Sequence, residues 1–196
     1  MIDAELEQAL HEDVLTASKL LLGTVLCRDS RRARIVETEA YRAEDDPGSH
    51  AHRGKTPRNA IMFGEPGFAY VYFNYGVHWM LNVTAHQKGR AAGILIRAAQ
   101  PLEGLGEMRE LRGGLEDRQL LSGPGKLTKA FEITGADNGV ALFDPASDLR
   151  IEPGERARVV ATTRIGLAEG KGHELPWRFV DADRLEWISR PTPKPT

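Results

Sequence analysis

A strand, a tight turn and a returning strand follow one another near the middle of the chain, and this segment constrains the fold most. Residues 68–75 are rich in aromatic side chains, as is typical of a strand, and Gly76 follows as a turn residue. Residues 79–85 then return as the partner strand. Further strand patterns at 34–41 and 94–99 extend this pair, so the sequence predicts a mostly antiparallel, curved sheet with a protruding β-hairpin.

Helical segments flank the predicted sheet. Asp13 is a suitable N-cap for a helix over residues 14–22, and residues 101–111 and 126–131 also have helical patterns. From residue 140 onward the sequence predicts short strands separated by Asp, Pro and Gly turns. The predicted fold class is therefore mixed α+β.

Length and composition favour a single domain over residues 1–196 that ends in a frayed tail at 191–196. Hydrophobic residues make up 41% and charged residues 28% of the 196, which is close to the globular average and excludes disorder as the default state. The lone Cys27 excludes a disulfide framework, and the acidic N-terminus lacks the basic stretch of a signal peptide. No apolar run approaches the roughly 20 residues that span a bilayer. We therefore expect a cytoplasmic protein without a membrane partner.

The charge distribution is uneven although the formal net charge is only −2. Between residues 47 and 102 there is one acid, Glu65, against six bases: Arg53, Lys55, Arg58, Lys88, Arg90 and Arg97. A local excess of this kind attracts polyanions even when the whole chain is weakly acidic. On charge alone, however, solvated loops are the commoner explanation.

All the tyrosines of the chain fall between the second strand and the hairpin, at positions 41, 70, 72 and 75. Tyr70 and Tyr72 share one face of their strand, and this concentration of hydroxylated rings indicates a stacking platform rather than core packing. Tyr75 directly precedes Gly76 at the hairpin tip, where a ring can act as a wedge in a stack of bases. Any single tyrosine could also be ordinary half-buried sheet packing.

A carboxylate in the middle of the second strand is the main catalytic candidate. The period of two places Ile35, Glu37, Glu39 and Tyr41 on one face, opposite Val36, Thr38 and Ala40. Because burial of an unpaired charge is costly, Glu39 must be paired or functional, and we expect Arg97 to pair with it and keep it ionised. Glu37 lies on the same face, which leaves open a two-carboxylate mechanism of glycoside hydrolysis.

Two further motifs resemble a metal site and a nucleotide-binding loop, but neither is complete, so we predict no cofactor. His50 and His52 lie near Asp45 and Asp46, but they lack a third spaced ligand, so we predict no metal site. The segment 122–127 fails as a phosphate loop of nucleotide enzymes, because a leucine replaces the required Ser or Thr. Its backbone N–H groups could still hold a DNA phosphate.

Many short motifs along the chain together resemble the alkyladenine (3-methyladenine) DNA glycosylase family. The resemblance covers about residues 13–180 and is densest from 35 to 104. The motifs that carry it are Val36–Tyr41, His50, Thr56–Asn59, Met62-Phe63, Pro66-Gly67, Tyr70–Tyr72, Tyr75-Gly76, Asn82, Leu95–Ala98, Pro101–Gly104, Ser122–Pro124 and Lys126-Leu127.

The resemblance implies a single mixed α/β domain whose hairpin enters the DNA minor groove while the damaged nucleotide is flipped into a pocket. It implies that Glu39 is the general base that deprotonates a water molecule. Arg97 would help to hold that water and the carboxylate, together with the backbone carbonyl of Ile165.

The resemblance also assigns the residues that recognise DNA. Tyr41 and Tyr72 would sandwich the flipped base, His50 would close the pocket, and Asn82 would exclude guanine. Tyr75 would fill the gap left in the duplex. Arg58 and Lys126 are the basic residues that we expect to contact the DNA backbone.

The resulting hypothesis is a monofunctional base-excision repair glycosylase for alkylated, and also deaminated, purines. It would act as a monomer without a cofactor on double-stranded DNA, and in a bacterial cell it would associate with the nucleoid. Two alternatives stay open: a non-catalytic module that binds distorted DNA, and a hydrolase of free nucleosides or sugars that uses Glu37 and Glu39. Gly48, where better-known members carry alanine, and a 50–56 loop shorter by one residue leave the base preference undetermined.

Overall fold

An antiparallel sheet forms the centre of the structure, a computed structural model that describes residues 2–43, 45–87 and 89–191. The predicted frayed tail at 191–196 lies outside the described residues apart from Pro191, and so does Lys88. Within the described part the strands are β1 (Val25–Arg28), β2 (Arg31–Tyr41), β3 (Ala69–Asn74), β4 (His78–Gln87), β5 (Arg90–Glu103), β6 (Leu149–Glu152), β7 (Val159–Thr162) and β8 (Arg178–Asp181).

The strands are ordered β3-β4-β5-β2-β1-β6, and every pair is antiparallel. One edge of β2 is shared between two partners: its first half pairs with β1, and its second half pairs with β8, which in turn pairs with β7. The sheet therefore curls around β2. The predicted class, a single mixed α+β domain with a curved antiparallel sheet and a β-hairpin, is confirmed.

Short helices cover the sheet. They are α1 (Ala4–Glu12), α2 (Val14–Leu20), α3 (Leu105–Leu111), α4 (Asp117–Leu120) and α5 (Pro124–Ala130), with a 3-10 turn at Ala60–Phe63. Asp13 caps α2 as predicted, since its Oδ1 accepts a hydrogen bond of 3.0 Å from the N–H of Leu15. None of the described helices has the length and apolar character needed to cross a membrane.

The helix predicted over residues 101–111 is wrong in its first half. Pro101 still pairs with Ala33 and Glu103 with Arg32, so β5 continues through this segment. Gly104 then turns the chain with a φ of 73°, and a Cβ there would lie 2.9 Å from the Cα of Arg31. The strand pairing prevails over local helix propensity, and the helix begins only at Leu105.

A bulge at Val36 sets the direction of the side chains on β2. Ile35 pairs with Ala99 while Glu37 pairs with Ala98, so β2 carries one extra residue. Ile35 therefore packs in the main core beneath the helices, and Val36 packs with Ala98 in a second cluster. The sequence predicted Ile35 and Glu37 on one face of β2 and Val36 on the other. This prediction is wrong, because the bulge interrupts the alternation of side chains between the two faces.

Candidate active site

A cavity of about 290 Å³ opens between the hairpin, the end of β2, β5 and the loop at 165–167. This volume is at the lower end of the roughly 300–1,000 Å³ range of pockets for small molecules. Among the side chains that line it are Tyr41, His50, Tyr70, Tyr72, Tyr75, Asn82, Arg97 and Ile165. The structure thus brings together most of the residues that the sequence singled out.

Aromatic rings form one wall of the cavity. The ring centroids of Tyr70 and Tyr72 are 5.3 Å apart, and that of His50 is 4.6 Å from Tyr72. The His50 Nδ1 lies 2.9 Å from the Tyr70 hydroxyl, which fixes the imidazole against the wall. The shared face predicted for Tyr70 and Tyr72 is confirmed.

The aromatic groups are uncharged at neutral pH. Burial raises the pKa of Tyr70 and of Tyr72 to about 12 and raises the pKa of Tyr41 well above its usual value. Burial, followed by the nearby Arg58 guanidinium, lowers the pKa of His50 below its usual value. The cavity therefore presents neutral rings and a neutral imidazole to a ligand.

Glu39 lies directly behind the cavity wall. Its Oε1 accepts a hydrogen bond of 2.7 Å from the N–H of Ile165, and its Oε2 accepts bonds from the Tyr41 hydroxyl at 2.9 Å and from Arg97 Nη1 at 3.2 Å. The pair between Glu39 and Arg97 is the one that the sequence predicted. Glu39 itself is fully buried, but all three donors line the cavity.

Burial is the main influence on the acidity of Glu39. It raises the pKa of this carboxyl group above its ordinary value, while Arg97, the Ile165 N–H and the Tyr41 hydroxyl act in the opposite direction. The carboxylate therefore takes up a proton at a higher pH than an exposed glutamate does. The resemblance implied that the carbonyl of Ile165 helps Arg97 to hold the water and the carboxylate, whereas in the structure the contact to Glu39 comes from the Ile165 N–H.

Glu37 occupies a different environment from Glu39. It is fully buried and does not line the cavity. Its Oε1 accepts hydrogen bonds from Arg97, Arg178 and the Ser189 hydroxyl, and its Oε2 accepts one from the Ser189 N–H. A carboxylate so fully engaged cannot serve as the second acid of a glycoside-hydrolysing pair, and its position argues against the alternative of a two-carboxylate hydrolase.

The hairpin places two further predicted residues at the cavity. Asn82 of β4 pairs with Tyr70 of β3, and its side-chain amide donates a hydrogen bond of 3.1 Å to the carbonyl of Tyr70. Tyr75 is at the tip, where 91% of its surface is exposed and its φ is 50°. The tip thus holds an aromatic ring in solvent at the rim of the cavity.

The two basic residues that we expect to contact DNA lie on the rim of the cavity and on the surface near the hairpin. The Arg58 guanidinium stacks 5.2 Å from the centroid of the Tyr72 ring and donates a hydrogen bond to the carbonyl of Phe73. Lys126 is exposed in the first turn of α5, with its Nζ 3.2 Å from the Ser122 hydroxyl. Pro124, the first residue of that helix, lines the cavity.

A buried ion pair between Asp46 and Arg164, which the sequence did not indicate, lies next to this site. Both Asp46 and Arg164 are shielded from solvent, and their side chains form two hydrogen bonds of 2.7 and 2.8 Å. The Arg164 guanidinium also lies 4.7 Å from the centroid of the Tyr41 ring. The sequence indicated Asp46 only as a neighbour of His50 and His52. The described residues contain no cluster of three or more His, Cys, Asp or Glu side chains that could hold a metal ion.

Gly48 is explained by close packing of the loops beside the cavity. A Cβ at this position would lie 2.8 Å from the carbonyl oxygen of Lys171 and 3.2 Å from Leu167. The two loops meet at a separation that leaves no room for alanine. Glycine at position 48 therefore allows the 165–172 loop to approach.

The site thus combines a cavity with neutral aromatic walls and an arginine-paired carboxylate behind them. The sequence profile of the methylpurine-DNA glycosylase family matches residues 8–185. The chain belongs to this family. Membership makes it a DNA glycosylase, a hydrolase of DNA repair whose substrate is DNA, and confirms the resemblance identified in the sequence.

Similar proteins from bacteria agree with this assignment. A protein of Carboxydothermus hydrogenoformans is 47% identical over 179 residues, which cover 88% of this chain and 92% of that protein. One of Rhodopseudomonas palustris is 45% identical over 174 residues, with 89% and 82% covered. One of Nitrosospira multiformis is 43% identical over 178 residues, with 91% and 90% covered. All three carry the name "putative 3-methyladenine DNA glycosylase".

Proposed function

We propose that the chain is a monofunctional DNA glycosylase that flips alkylated purines, and also deaminated ones, into the cavity and hydrolyses the N-glycosidic bond with a water molecule activated by Glu39. The observation that carries this proposal is the Glu39 carboxylate, held by Arg97 and the Ile165 N–H directly behind a cavity with aromatic walls. The names of the similar proteins support an alkylated adenine as one substrate.

The cavity suits an alkylated purine for electrostatic reasons. Alkylation of a ring nitrogen can make the purine cationic, and a cation is attracted to the face of a neutral tyrosine ring. In this proposal Tyr41 and Tyr72 stack against the flipped base and His50 closes the pocket. Asn82, fixed by its bond to the Tyr70 carbonyl, crowds the exocyclic amino group of guanine.

The chemistry needs a placed nucleophile and a negative charge beside the sugar. Glu39 Oε1 accepts one hydrogen bond, from Ile165, and a carboxylate oxygen has the capacity for a second, from water. Water then forms a bond to C1′ and gives a proton to Glu39, while the C1′–N bond breaks and its electron pair leaves with the base. Among the described residues no lysine lines the cavity, which supports hydrolysis without a Schiff base or strand cleavage.

The protein would act on duplex DNA as a monomer without a cofactor, in the cytoplasm and at the nucleoid of a bacterial cell. Tyr75 would fill the space left by the flipped nucleotide, and Arg58 and Lys126 would contact phosphates. The exposure of Tyr75 at the cavity rim supports this arrangement, because a wedge must reach the base stack while the flipped base occupies the pocket.

Duplexes that each carry one lesion test the proposal. We expect release of 3-methyladenine, with the DNA strand intact until alkali cleaves the abasic site. Base release should be measured by chromatography and strand cleavage by a gel without alkali, with undamaged duplex as the control. No base release from any alkylated duplex would contradict the proposal, and strand cleavage without alkali would contradict its monofunctional part.

Replacement of Tyr75 by alanine should weaken binding to lesion-containing duplex. Stacking of a base on an aromatic ring contributes about 1–3 kcal/mol, which corresponds to a roughly five- to 150-fold loss of affinity. Because the ring is 91% exposed, the melting temperature should not change. Binding is measured by fluorescence anisotropy, with Val77→Ala at the same exposed tip as the matched control. Equal affinities of Tyr75→Ala and the parent would show that Tyr75 is not a wedge.

A further inference from the structure

A network of four buried charges extends from the proposed catalytic carboxylate toward the C-terminal part of the chain. Its members are Glu39 and Glu37 of β2, Arg97 of β5 and Arg178 of β8, all at most 8% exposed. Arg97 joins the two carboxylates: its Nε lies 3.1 Å from Glu37 Oε1 and its Nη1 lies 3.2 Å from Glu39 Oε2. Because each end of this guanidinium has its own anion, its orientation is fixed.

Glu37 has further hydrogen-bond partners besides Arg97. Arg178 Nε donates a hydrogen bond of 2.6 Å to Glu37 Oε1, and Ser189 donates through its hydroxyl at 2.7 Å and its N–H at 2.6 Å. Arg178 also donates to the carbonyls of Ser189 and Pro191 at 3.1 and 3.0 Å. The segment 189–191 therefore completes the network although it is distant from Glu39 in sequence.

The charges balance, and this explains why the network can be buried. Two carboxylates and two guanidinium groups neutralise one another, and hydrogen bonds occupy the oxygens of Glu37. A single pair of Glu39 and Arg97 would already meet the need for charge neutrality at Glu39. The additional pair of Glu37 and Arg178 does not line the cavity, but Glu37 contacts the Arg97 guanidinium directly and Arg178 contacts Glu37.

We propose that Glu37 and Arg178 are positioning residues for the glycosylase reaction: they hold the Arg97 guanidinium against Glu39, so that the carboxylate keeps the orientation in which it aligns water. Neither residue touches the substrate. The inference rests on the proposed role of Glu39 as the general base.

The charged and titratable groups around Glu39 determine how its pH dependence should respond. Arg97 faces it from β5 and Tyr41 and Glu37 from β2, while Arg178 is its register partner on β8. Arg164, which precedes Ile165 in the neighbouring loop, stacks on Tyr41. Arg97 lowers the pKa of Glu39 more than Glu37 raises it, so displacement of the Arg97 guanidinium should raise that pKa even though the negative charge of Glu37 is lost. A general base works only when deprotonated, and the acidic limb of the rate profile should therefore move to higher pH.

Single-turnover base release from a 3-methyladenine duplex tests the inference with the parent, Glu39→Gln and Glu37→Gln. We expect Glu37→Gln to release base about ten- to a hundred-fold more slowly, in line with the loss from misplacement of a catalytic group. Duplex affinity should be unchanged, and the acidic limb should move to higher pH. The comparison is made with protein that circular dichroism shows to be folded. A parental rate would overturn the inference, and so would a limb that stays in place or moves to lower pH, which is the result expected if Arg97 keeps its position and only the charge of Glu37 is lost.

Two further variants keep the test decisive. Asp181→Asn removes a buried carboxylate of β8, the strand of Arg178, that pairs with Arg184 outside the network, so it should alter stability without moving the limb. Should Glu37→Gln not fold, Ser189→Ala decides, because it removes the hydroxyl that contacts both Glu37 and the Arg97 guanidinium and leaves the charges in place. We then expect a several-fold slower release at unchanged affinity, and a parental rate would overturn the inference.

The outcome for Glu39→Gln separates this inference from the proposed function. If Glu39→Gln is slow and Glu37→Gln is as fast as the parent, only the positioning role fails. If Glu39→Gln is as fast as the parent, the proposed general base is wrong, and the positioning role that acts through it fails with it.

Discussion

Replacement of Glu39 by glutamine should lower the rate of base release by about a hundred- to ten-thousand-fold, the contribution typical of a general base. Glutamine has nearly the same shape, but it cannot accept a proton from water or offer a full negative charge to the developing positive charge on the sugar. The fold should persist, because Arg97 keeps Glu37 as a counter-ion and is not left as an unpaired buried charge.

The rate should be measured under single-turnover conditions with enzyme in excess, so that product release does not mask the chemical step. Glu39→Gln should bind lesion-containing duplex as tightly as the parent, which separates a catalytic defect from a binding defect. Release at the parental rate would remove Glu39 from the mechanism. If the parent itself bound lesions without releasing base, the alternative of a non-catalytic binding module would be correct.

Local patterns in the sequence predict the elements that carry the site. The alternation of Tyr70 and Tyr72 places both rings on one face, and the turn at Gly76 leaves Tyr75 exposed at the tip, as the structure shows. Glu39 could be paired with Arg97 because a buried carboxylate requires a cation. The two hairpin features depend on neighbours within one hairpin, which is why periodicity is sufficient to find them. The partners Glu39 and Arg97 are 58 residues apart, and only the need of a buried carboxylate for a cation led from one to the other.

Features that depend on distant partners could not be predicted in the same way. The bulge at Val36 becomes apparent only when β2 is paired with β5, and it moves Ile35 into the main core. Pro101 continues a strand because Ala33 is opposite it, although the local sequence favours a helix. No local pattern indicates such pairings, since they are decided by the packing of the whole sheet.

The same limit applies to the ion pair between Asp46 and Arg164, whose partners are 118 residues apart. Asp46 also accepts hydrogen bonds from the backbone N–H groups of Arg42 and Gly48, so it organises its own loop. Arg164 donates to the carbonyls of Ala40, at the end of β2, and of residues 171 and 172. One buried pair thus ties together the two loops that flank the cavity and supports the ring of Tyr41.

Replacement of Asp46 by alanine should therefore destabilise the protein by about 3–5 kcal/mol, because it leaves Arg164 as an uncompensated buried charge. The free energy of unfolding is measured by urea denaturation. Asp45→Ala is the matched control: the neighbouring carboxylate is 40% exposed and pairs with Arg42, and surface pairs of this kind contribute about 0–1 kcal/mol.

The double variant Asp46→Ala with Arg164→Met tests the physical reason for that loss. It removes both charges, so it should recover part of the stability that Asp46→Ala loses, because no buried ion is left without a partner. Its base release should nevertheless stay below that of the parent, since the 165–172 loop and the Tyr41 ring lose their common support. If Asp46→Ala were no more destabilising than Asp45→Ala, the pair would not be what holds these loops together, and the position of Ile165 beside Glu39 would need another explanation.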